Sequence, residues 1–331
     1  MKKEEYMRKL KYQLIDLPGE DLSQIEDFYE ELIYDGLEQG LSEEEIVDRL
    51  ESPEDVARKI RAEYGGLVVY TAKAKSKESK EKQQGYESSE MIHTVRVETE
   101  NLRIRVKTVE EGPVRVYFKP KEGQDIVTFE EKGGVFFFRH EMKNKTLTCL
   151  NLLNLFREFS ILTLELPVNF SGKLYLETTN GSISVKGLGS LYQGEISSNN
   201  GKIRVENSQA ESLTIKSSNA KIELLNVRGE QLDATAGNGM ITVKECRFPQ
   251  KLSLQTQNGT VTGRNLISDN ISLQTCNGLV SGTIIGNKND YNICSTTRNG
   301  FNNLENVCEP DRAKRLLAKT HNGRIQIEFT L

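Results

Sequence analysis

The stretch LETTNGSISV, residues 176–185, sets an Asn-Gly pair between two short runs in which apolar and polar residues alternate. Asn-Gly in this setting is the strongest local signal of a β-hairpin, because both residues tolerate the positive φ of a type I′ turn. Related stretches follow down the rest of the chain, and the turn Asn recurs at intervals of 19 to 23 residues. A near-constant period of this length indicates a repeat architecture.

Most copies of the turn keep glycine after the Asn. They are Asn180 and Gly181, Asn200 and Gly201, Asn238 and Gly239, Asn258 and Gly259, Asn277 and Gly278, Asn299 and Gly300, and Asn322 and Gly323. One further copy has alanine instead, at Asn219 and Ala220. If glycine serves these turns by adopting a positive φ, Ala220 is strained, and Ala220→Gly is expected to stabilise the protein by roughly 1 kcal/mol.

Other positions around the turn also carry the same kind of residue in successive copies. The residue two before the Asn is small and mostly hydroxyl-bearing: Thr178, Ser198, Ser217, Ala236, Thr256, Thr275, Thr297 and Thr320. The residue three after it is β-branched and apolar, except at Asn302. Each copy alone fits a hairpin or one coil of a solenoid. Because stacked coils place like on like about 4.8 Å apart, the columns favour a β-solenoid over a hairpin meander.

The first 66 residues show a different pattern, in which apolar residues recur every three or four positions. This spacing predicts an amphipathic helix before the sequence PGED and another over residues 22–33. A third helix is expected to begin at Ser42, whose hydroxyl can form a capping box with Glu45. A fourth begins at SPED, with Pro53 at the first helical position.

The predicted fold class is therefore multidomain, with a small all-α domain followed by an all-β domain. We expect the helical domain over residues 1–66, a charged linker over 67–91, a capping layer of β-strands over 92–170 and a β-solenoid of eight repeats over 171–331. The capping layer is predicted because its residues alternate, as in TVRVETENLRIRV, and because a solenoid needs its end covered.

The helical segment resembles the HAAS-type N-terminal signalling domain of Firmicutes, through LP, FYEE and SEEEIVDRLESPEDVARKI. Glu51 departs from that family, which usually has Gly before Ser-Pro. From about His93 through LELP and the Asn-Gly repeats, the chain resembles the "putative adhesin" β-strand-repeat family of unknown function. The resemblance implies a β-solenoid without an established activity. It also implies a PadR-like transcriptional regulator as a candidate partner.

Charge is divided unevenly, since residues 1–66 carry a net charge of −10 and the whole chain −4. An acidic helical domain is expected to repel nucleic acid and to attract a basic protein partner. The candidate contacts are Glu26, Glu30, Glu31, Asp35 and Glu38. No stretch approaches the roughly 18 apolar residues of a membrane span, and the N-terminus has no apolar signal-peptide core. We therefore expect a cytoplasmic protein without a membrane span.

Nothing in the repeats predicts catalysis. Their carboxylates stand at unlike offsets from the turn Asn, as at Glu177, Glu195 and Glu223, so neighbouring coils build no aligned pair of acids. The five cysteines form no CxxC pair, so neither a metal nor a cofactor is predicted. Cys276 and Cys294 are interpreted as small apolar fillers inside the repeats.

The function expected from these observations is a non-enzymatic protein-interaction and signalling scaffold. Its helical domain would bind a regulatory partner, and its solenoid would serve as a rigid platform. The alternative is a carbohydrate-binding or adhesin-like solenoid, with a polysaccharide-active enzyme less favoured. The absence of Trp weakens the glycan alternative, because glycan sites commonly present exposed aromatic platforms.

Overall fold

The computed structural model describes residues 3–14, 25, 29, 33, 41–64, 68–71, 91–118, 120, 125–143 and 161–331. Within these ranges, the helices form one compact unit and the strands form a second. None of the described helices combines the length and the apolar character that a bilayer-spanning helix needs.

The helices described in the N-terminal unit are α1 (Lys3–Gln13), α2 (Glu43–Arg49) and α3 (Pro53–Tyr64). The capping box predicted at the start of α2 is present. The Ser42 side chain accepts a hydrogen bond from the backbone N–H of Glu45, and the Glu45 carboxylate accepts one from the backbone N–H of Ser42. These bonds satisfy amides that the helix itself leaves without partners.

The core of the helical unit is small and centres on the apolar face of α1. Its buried residues are Tyr6, Leu10, Leu14, Ile33, Ile46, Val47, Val56 and Ala57. Burial raises the pKa of the Tyr6 hydroxyl, which donates a hydrogen bond to the backbone oxygen of Glu51 at 2.9 Å. Of the helix predicted over 22–33, the described residues Ile25, Tyr29 and Ile33 are helical, and the others lie outside the described residues.

The second unit is built from strands. They are β1 (Val68–Thr71), β2 (Thr94–Thr99), β3 (Arg103–Val109), β4 (Arg115–Phe118), β5 (Asp125–Lys132), β6 (Val135–Met142), β7 (Ile161–Pro167), β8 (Lys173–Thr178), β9 (Ile183–Lys186), β10 (Leu191–Ser198), β11 (Ile203–Ser217), β12 (Ile222–Arg228), β13 (Gln231–Ala236), β14 (Ile241–Lys244), β15 (Lys251–Thr256), β16 (Val261–Leu266), β17 (Asn270–Thr275), β18 (Val280–Ile285), β19 (Tyr291–Asn299), β20 (Lys314–Asn322) and β21 (Ile325–Thr330). A short 3₁₀ turn, Lys288–Asp290, precedes β19.

The strands stack into two sheets, and the predicted β-solenoid is confirmed. In spatial order, sheet A contains β1, β4, β7, β3, β9, the first half of β11, β12, β14, β16, β18 and β21. Sheet B contains β5, β6, β2, β8, β10, the second half of β11, β13, β15, β17, β20 and β19. Successive coils pair in parallel, as where Ile203 lies between Ile183 and Ile222. Apolar residues of both sheets face inward and form one elongated core.

The N-terminal end of the solenoid corrects two of the predicted boundaries. Residues 92–170 are more than a capping layer, because β2 and β3 already form a coil that pairs in parallel with β8 and β9. The coil of β6 and β7 stacks outside it. Antiparallel β4 and β5 then cover the end. Residues 68–71, which were predicted as linker, form β1 and pair with β4.

The C-terminal end stacks its last two coils in the reverse of their chain order. Strand β20 pairs with β17 on one side and with β19 on the other, so the later segment lies inside the earlier one. Strand β21 belongs to the same coil as β20 and pairs with β18. The order of repeats along the chain therefore does not give their order in space at this end.

Candidate functional site

The turn asparagines form a continuous ladder along the solenoid. From Asn180 onward, each donates a side-chain N–H to the side-chain oxygen of the Asn in the adjacent coil, at 2.6–2.9 Å. In spatial order the ladder contains Asn101, Asn180, Asn200, Asn219, Asn238, Asn258, Asn277, Asn322 and Asn299. Asn101 belongs to a further copy that the sequence pattern missed, because Leu102 follows it in place of glycine.

The hydroxyl column two residues before each Asn joins the coils at the same corner. Thr256 donates its hydroxyl to the backbone oxygen of Gly239 at 2.9 Å, and Thr275 donates in the same way to Gly259 at 2.9 Å. Within a coil, the Ser198 hydroxyl also accepts from the amide of Gly201. Where the column carries a hydroxyl, it can close the turn and tie it to the neighbouring coil, which is a structural role.

The next coil lies close to the turn glycines and leaves little space for a Cβ, which corrects the reason expected from the sequence, although the turn at Ala220 accommodates one. Apart from Gly300, at φ 154°, none of the seven has a left-handed φ. A Cβ on Gly201 would lie 1.9 Å from the backbone oxygen of Gly181, and one on Gly239 would lie 1.9 Å from that of Ala220. Ala220 also lacks a positive φ, so the predicted strain and its relief by Ala220→Gly have no basis.

The described residues other than glycine that have a left-handed φ lie at a different corner of the coil. They are Asn207, Asn226, Glu245 and Asn265, with φ between 46° and 55°. Asn and Asp adopt this conformation more readily than most other residues with a side chain, because their short polar groups can bond locally. Asn226 donates to the side chain of Asn207 at 2.8 Å, and Asn265 donates to the carboxylate of Glu245 at 2.5 Å.

The five acidic residues predicted to contact a partner, Glu26, Glu30, Glu31, Asp35 and Glu38, lie outside the described residues. The described helices nevertheless carry an exposed acidic cluster. Glu43 and Glu44 open α2 and are exposed beside the capping residue Glu45. Hydrogen bonds from the backbone and hydroxyl of Ser42 lower the pKa of the Glu45 carboxyl. Negative charge in the first turn of a helix is also favoured by the helix dipole.

A groove lies on the outer face of sheet A. Its floor lies where two strand positions that face the core carry glycine, Gly263 in β16 and Gly282 in β18. In the adjacent coils, Val243 and Ile327 occupy the same column. A Cβ on Gly282 would lie 1.8 Å from the backbone oxygen of Gly263. Glycine inside a strand marks such a close approach or a bulge.

A shift of strand register accompanies these glycines. Between Gly263 and Leu266 the pairing of β16 with β18 slips, so that Leu266 pairs with Ile284. The Leu266 side chain fills the core beside Gly263, where a Cβ would lie only 2.4 Å from its methyl group. Bulges of this kind bend a strand and redirect its side chains, and they are common next to binding sites.

The groove has a volume of about 760 Å³ and a predominantly polar lining. Thr262, Ser281 and Gln326 form one row across its strands. Lys244 and Arg264 supply positive charge, and Glu245 and Glu328 supply negative charge. The ring of Phe301 completes the lining and is 55% exposed. No residue of this groove was singled out in the sequence, although the Gly263 and Gly282 substitutions in an apolar column were a readable signal.

The interpretation of Cys276 and Cys294 as apolar fillers is wrong. Cys276 and Cys294 are exposed, which contradicts that interpretation, because both occupy outward positions of their strands or turns. Cys246 is buried and donates to the backbone oxygen of Lys244. Burial raises the pKa of its thiol to about 11. Within the described ranges, no group of three or more His, Cys, Asp or Glu side chains is arranged to hold a metal ion.

Comparison with known proteins finds family matches for two segments of the chain. The HAAS family model matches residues 5–59, and the model described as Toastrack DUF4097 matches residues 167–304. A crystal structure of a "putative cell adhesion protein" from Clostridium sporogenes aligns with 80% of this chain and 99% of that one, at 11% identity and a TM-score of 0.26, too weak a likeness to support an argument. None of the curated proteins matches. The chain thus contains a HAAS domain followed by a Toastrack DUF4097 solenoid.

Proposed function

We propose that this protein is a cytoplasmic, non-enzymatic scaffold in which the HAAS domain binds a regulatory protein partner and the solenoid is a rigid platform. The match of residues 5–59 to the HAAS family supports this proposal, because HAAS domains are protein-interaction domains. The two families that match the chain are not enzymatic, which agrees with a scaffold role.

The observation that carries the proposal is an apolar core with an acidic exterior in the HAAS domain. Ile46 and Val47 of α2 are buried, while Glu43 and Glu44 on its first turn are exposed and form no ion pair within the described residues. Together with the net charge of −10 over residues 1–66, this arrangement favours a partner with a basic surface. By the resemblance of the sequence, a PadR-like transcriptional regulator is the candidate partner.

The solenoid supplies rigidity in this proposal. Its coils are held together by parallel strand pairing, by the Asn ladder and by the hydroxyl column. Repeats joined in this way behave as an extended body in which each coil contacts its neighbours.

The test measures binding of the full-length chain to a purified PadR-like regulator from its host by titration calorimetry. We expect E43Q/E44Q, and separately E26Q/E30Q/E31Q, to weaken binding, with the wild-type affinity falling as salt is raised from about 50 to about 300 mM. The matched control is E110Q/E111Q, which removes two exposed carboxylates from the solenoid unit. Equal loss in the control, or unchanged binding in both HAAS variants, would contradict the proposal.

A further inference from the structure

The groove on sheet A has features of a ligand site that the scaffold role does not explain. Two neighbouring coils have lost their inward side chain at the same position, at Gly263 and Gly282, and the strand register slips beside them. Elsewhere this column holds Val or Leu, such as Val243 and Leu224, which are buried in the core. Leu266 fills the core beside Gly263, and the bulge there bends β16 and redirects the side chains on its outer face.

In the floor of the groove, each strand already pairs with a neighbouring strand on both sides. Strand β16 pairs with β14 and β18, and β18 pairs with β16 and β21. An extended peptide binds a sheet by pairing with a free strand edge, and no such edge lies within this floor. Recognition in the groove must therefore use side chains.

The side chains offered are hydroxyls and amides in register across the coils. Thr262 and Ser281 place their hydroxyl oxygens 3.3 Å apart, and Gln326 continues the row. Beside them, Thr283 donates to the side-chain oxygen of Asn265 at 3.0 Å. Groups that both donate and accept, repeated about every 4.8 Å, suit a ligand with hydroxyls on successive units.

The charges of the groove balance. Lys244 and Arg264 carry two positive charges, and Glu245 and Glu328 carry two negative charges. None of these four side chains forms an ion pair within the described residues. A polyanion or a polycation would leave two like charges facing it in a partly enclosed site. A neutral ligand can instead accept hydrogen bonds from the cations and donate them to the carboxylates, and such charge-assisted bonds are strong.

An exposed aromatic ring completes the groove. Phe301 is 55% exposed, although its backbone oxygen is fixed by the amide of Ile325 at 2.8 Å. The equivalent position in the other coils holds aliphatic or polar residues and no other aromatic ring: Ser182, Lys202, Lys221, Met240, Thr260, Leu279 and Arg324. A large exposed ring held beside convergent polar groups is typical of a binding surface. Its flat apolar face can stack against the C–H face of a sugar ring.

We propose that this groove is a binding site for a neutral oligosaccharide, with Phe301 as the stacking platform and the Thr262, Ser281 and Gln326 row as the hydroxyl-binding groups. The site lies within the solenoid, so it is independent of partner binding by the HAAS domain. Oligosaccharide titration therefore tests the groove, and binding of the regulator separately tests the scaffold proposal.

The experiment titrates the full-length chain with neutral cello-, xylo-, malto- and chito-oligosaccharides, using calorimetry and saturation-transfer NMR. We expect one neutral series to bind and Phe301→Ala to weaken it about tenfold. Phe301→Tyr keeps the ring and should retain most of the affinity. Tyr192→Ala is the matched control, because Tyr192 is an equally exposed aromatic residue at 54%, on β10 of sheet B.

Three outcomes would overturn the proposal. One is the absence of binding by every neutral series to a folded wild-type chain. Another is an equal loss of affinity in Phe301→Ala and Tyr192→Ala. The third is binding of acidic probes alone, such as oligogalacturonate, with loss on Arg264→Ala, because the ligand would then be an anion. Circular dichroism confirms that each variant keeps its β-structure.

Discussion

Gly239→Ala tests whether close packing or backbone conformation explains the turn glycines. In the folded chain, the Cβ of an alanine at this position would lie 1.9 Å from the backbone oxygen of Ala220 in the adjacent coil. Real Cβ atoms essentially never approach another atom within 3.0 Å, so the two coils must separate by about 1.1 Å at this corner. Alanine therefore disrupts the contact between coils.

The expected loss of stability comes from three hydrogen bonds at the same corner. The amide of Gly237 donates to Ser217 at 3.0 Å, the amide of Asn238 donates to Ser218 at 2.8 Å, and the Asn238 side chain donates to Asn219 at 2.8 Å. A separation of about 1.1 Å breaks all three. At roughly 0.5–1.5 kcal/mol each, their loss lowers the free energy of unfolding by about 1.5–4.5 kcal/mol.

Two further variants separate the explanations. Gly194→Ala is the matched control, because its Cβ would meet only the flexible ends of Leu213 and Leu191, at 2.9 and 3.0 Å, and should change stability by less than about 1 kcal/mol. Gly239→Asn should be as damaging as Gly239→Ala, since both add a Cβ. If the glycine were needed for a left-handed φ, Asn would be much better tolerated.

The measurement is guanidinium unfolding followed by circular dichroism, combined with hydrogen exchange of peptides covering residues 231–256. Hydrogen exchange is needed because a stack of coils can open locally before it unfolds as a whole. The steric reasoning fails if Gly239→Ala costs no more than Gly194→Ala. It also fails if Gly239→Asn is clearly more stable than Gly239→Ala.

Four other outcomes are expected. Ser42→Ala should lower the stability of the HAAS domain by about 1 kcal/mol in thermal unfolding, because it removes the cap of α2; an unchanged midpoint would contradict this. Native protein should react with Ellman's reagent at Cys276, with Cys246 reacting only after denaturation. Because burial raises the pKa of Cys246 from 9.0 to about 11, its contribution to stability should be lost as pH rises through that window, and a gain of stability there would be inconsistent. Limited proteolysis should cut first within residues 72–90, whose composition leaves little to bury, and earlier cleavage inside the strands would refute this.

The repeat was readable from sequence because its signal is local and periodic. Ile183, Ile203 and Ile222 occupy one column in the sequence and pair with one another in sheet A. The capping box at Ser42 was predictable for the same reason, since its partner is three residues away. Local spacing did not reveal why glycine follows the turn Asn, because the contact that excludes a side chain comes from the next coil.

The groove illustrates a second limit of the sequence. Gly263 and Gly282 interrupt the apolar column visibly, but their effect depends on the register slip toward Leu266 and on Phe301 reaching the same surface. These are relations between coils. Groove residues drawn from the stretch between Leu225 and Glu328 lie together only after the stack has formed.

The two ends of the solenoid show how edges are protected without a separate capping domain. An unpaired strand edge promotes association with other chains. At one end the antiparallel strands β1, β4 and β5 cover the coils.

At the other end of the solenoid, beyond β21, the Asn303 side chain accepts a hydrogen bond from the amide of Ile327 at 3.1 Å and donates one to its carbonyl at 2.9 Å. One amide side chain thus replaces a strand residue on this edge. Asn302, the residue that breaks the apolar column, accepts from the amide of Leu304 and turns the chain there. Asn302 and Asn303 therefore depart from the repeat where the repeat stops, because residues that continued the pattern would leave the edge open to another chain.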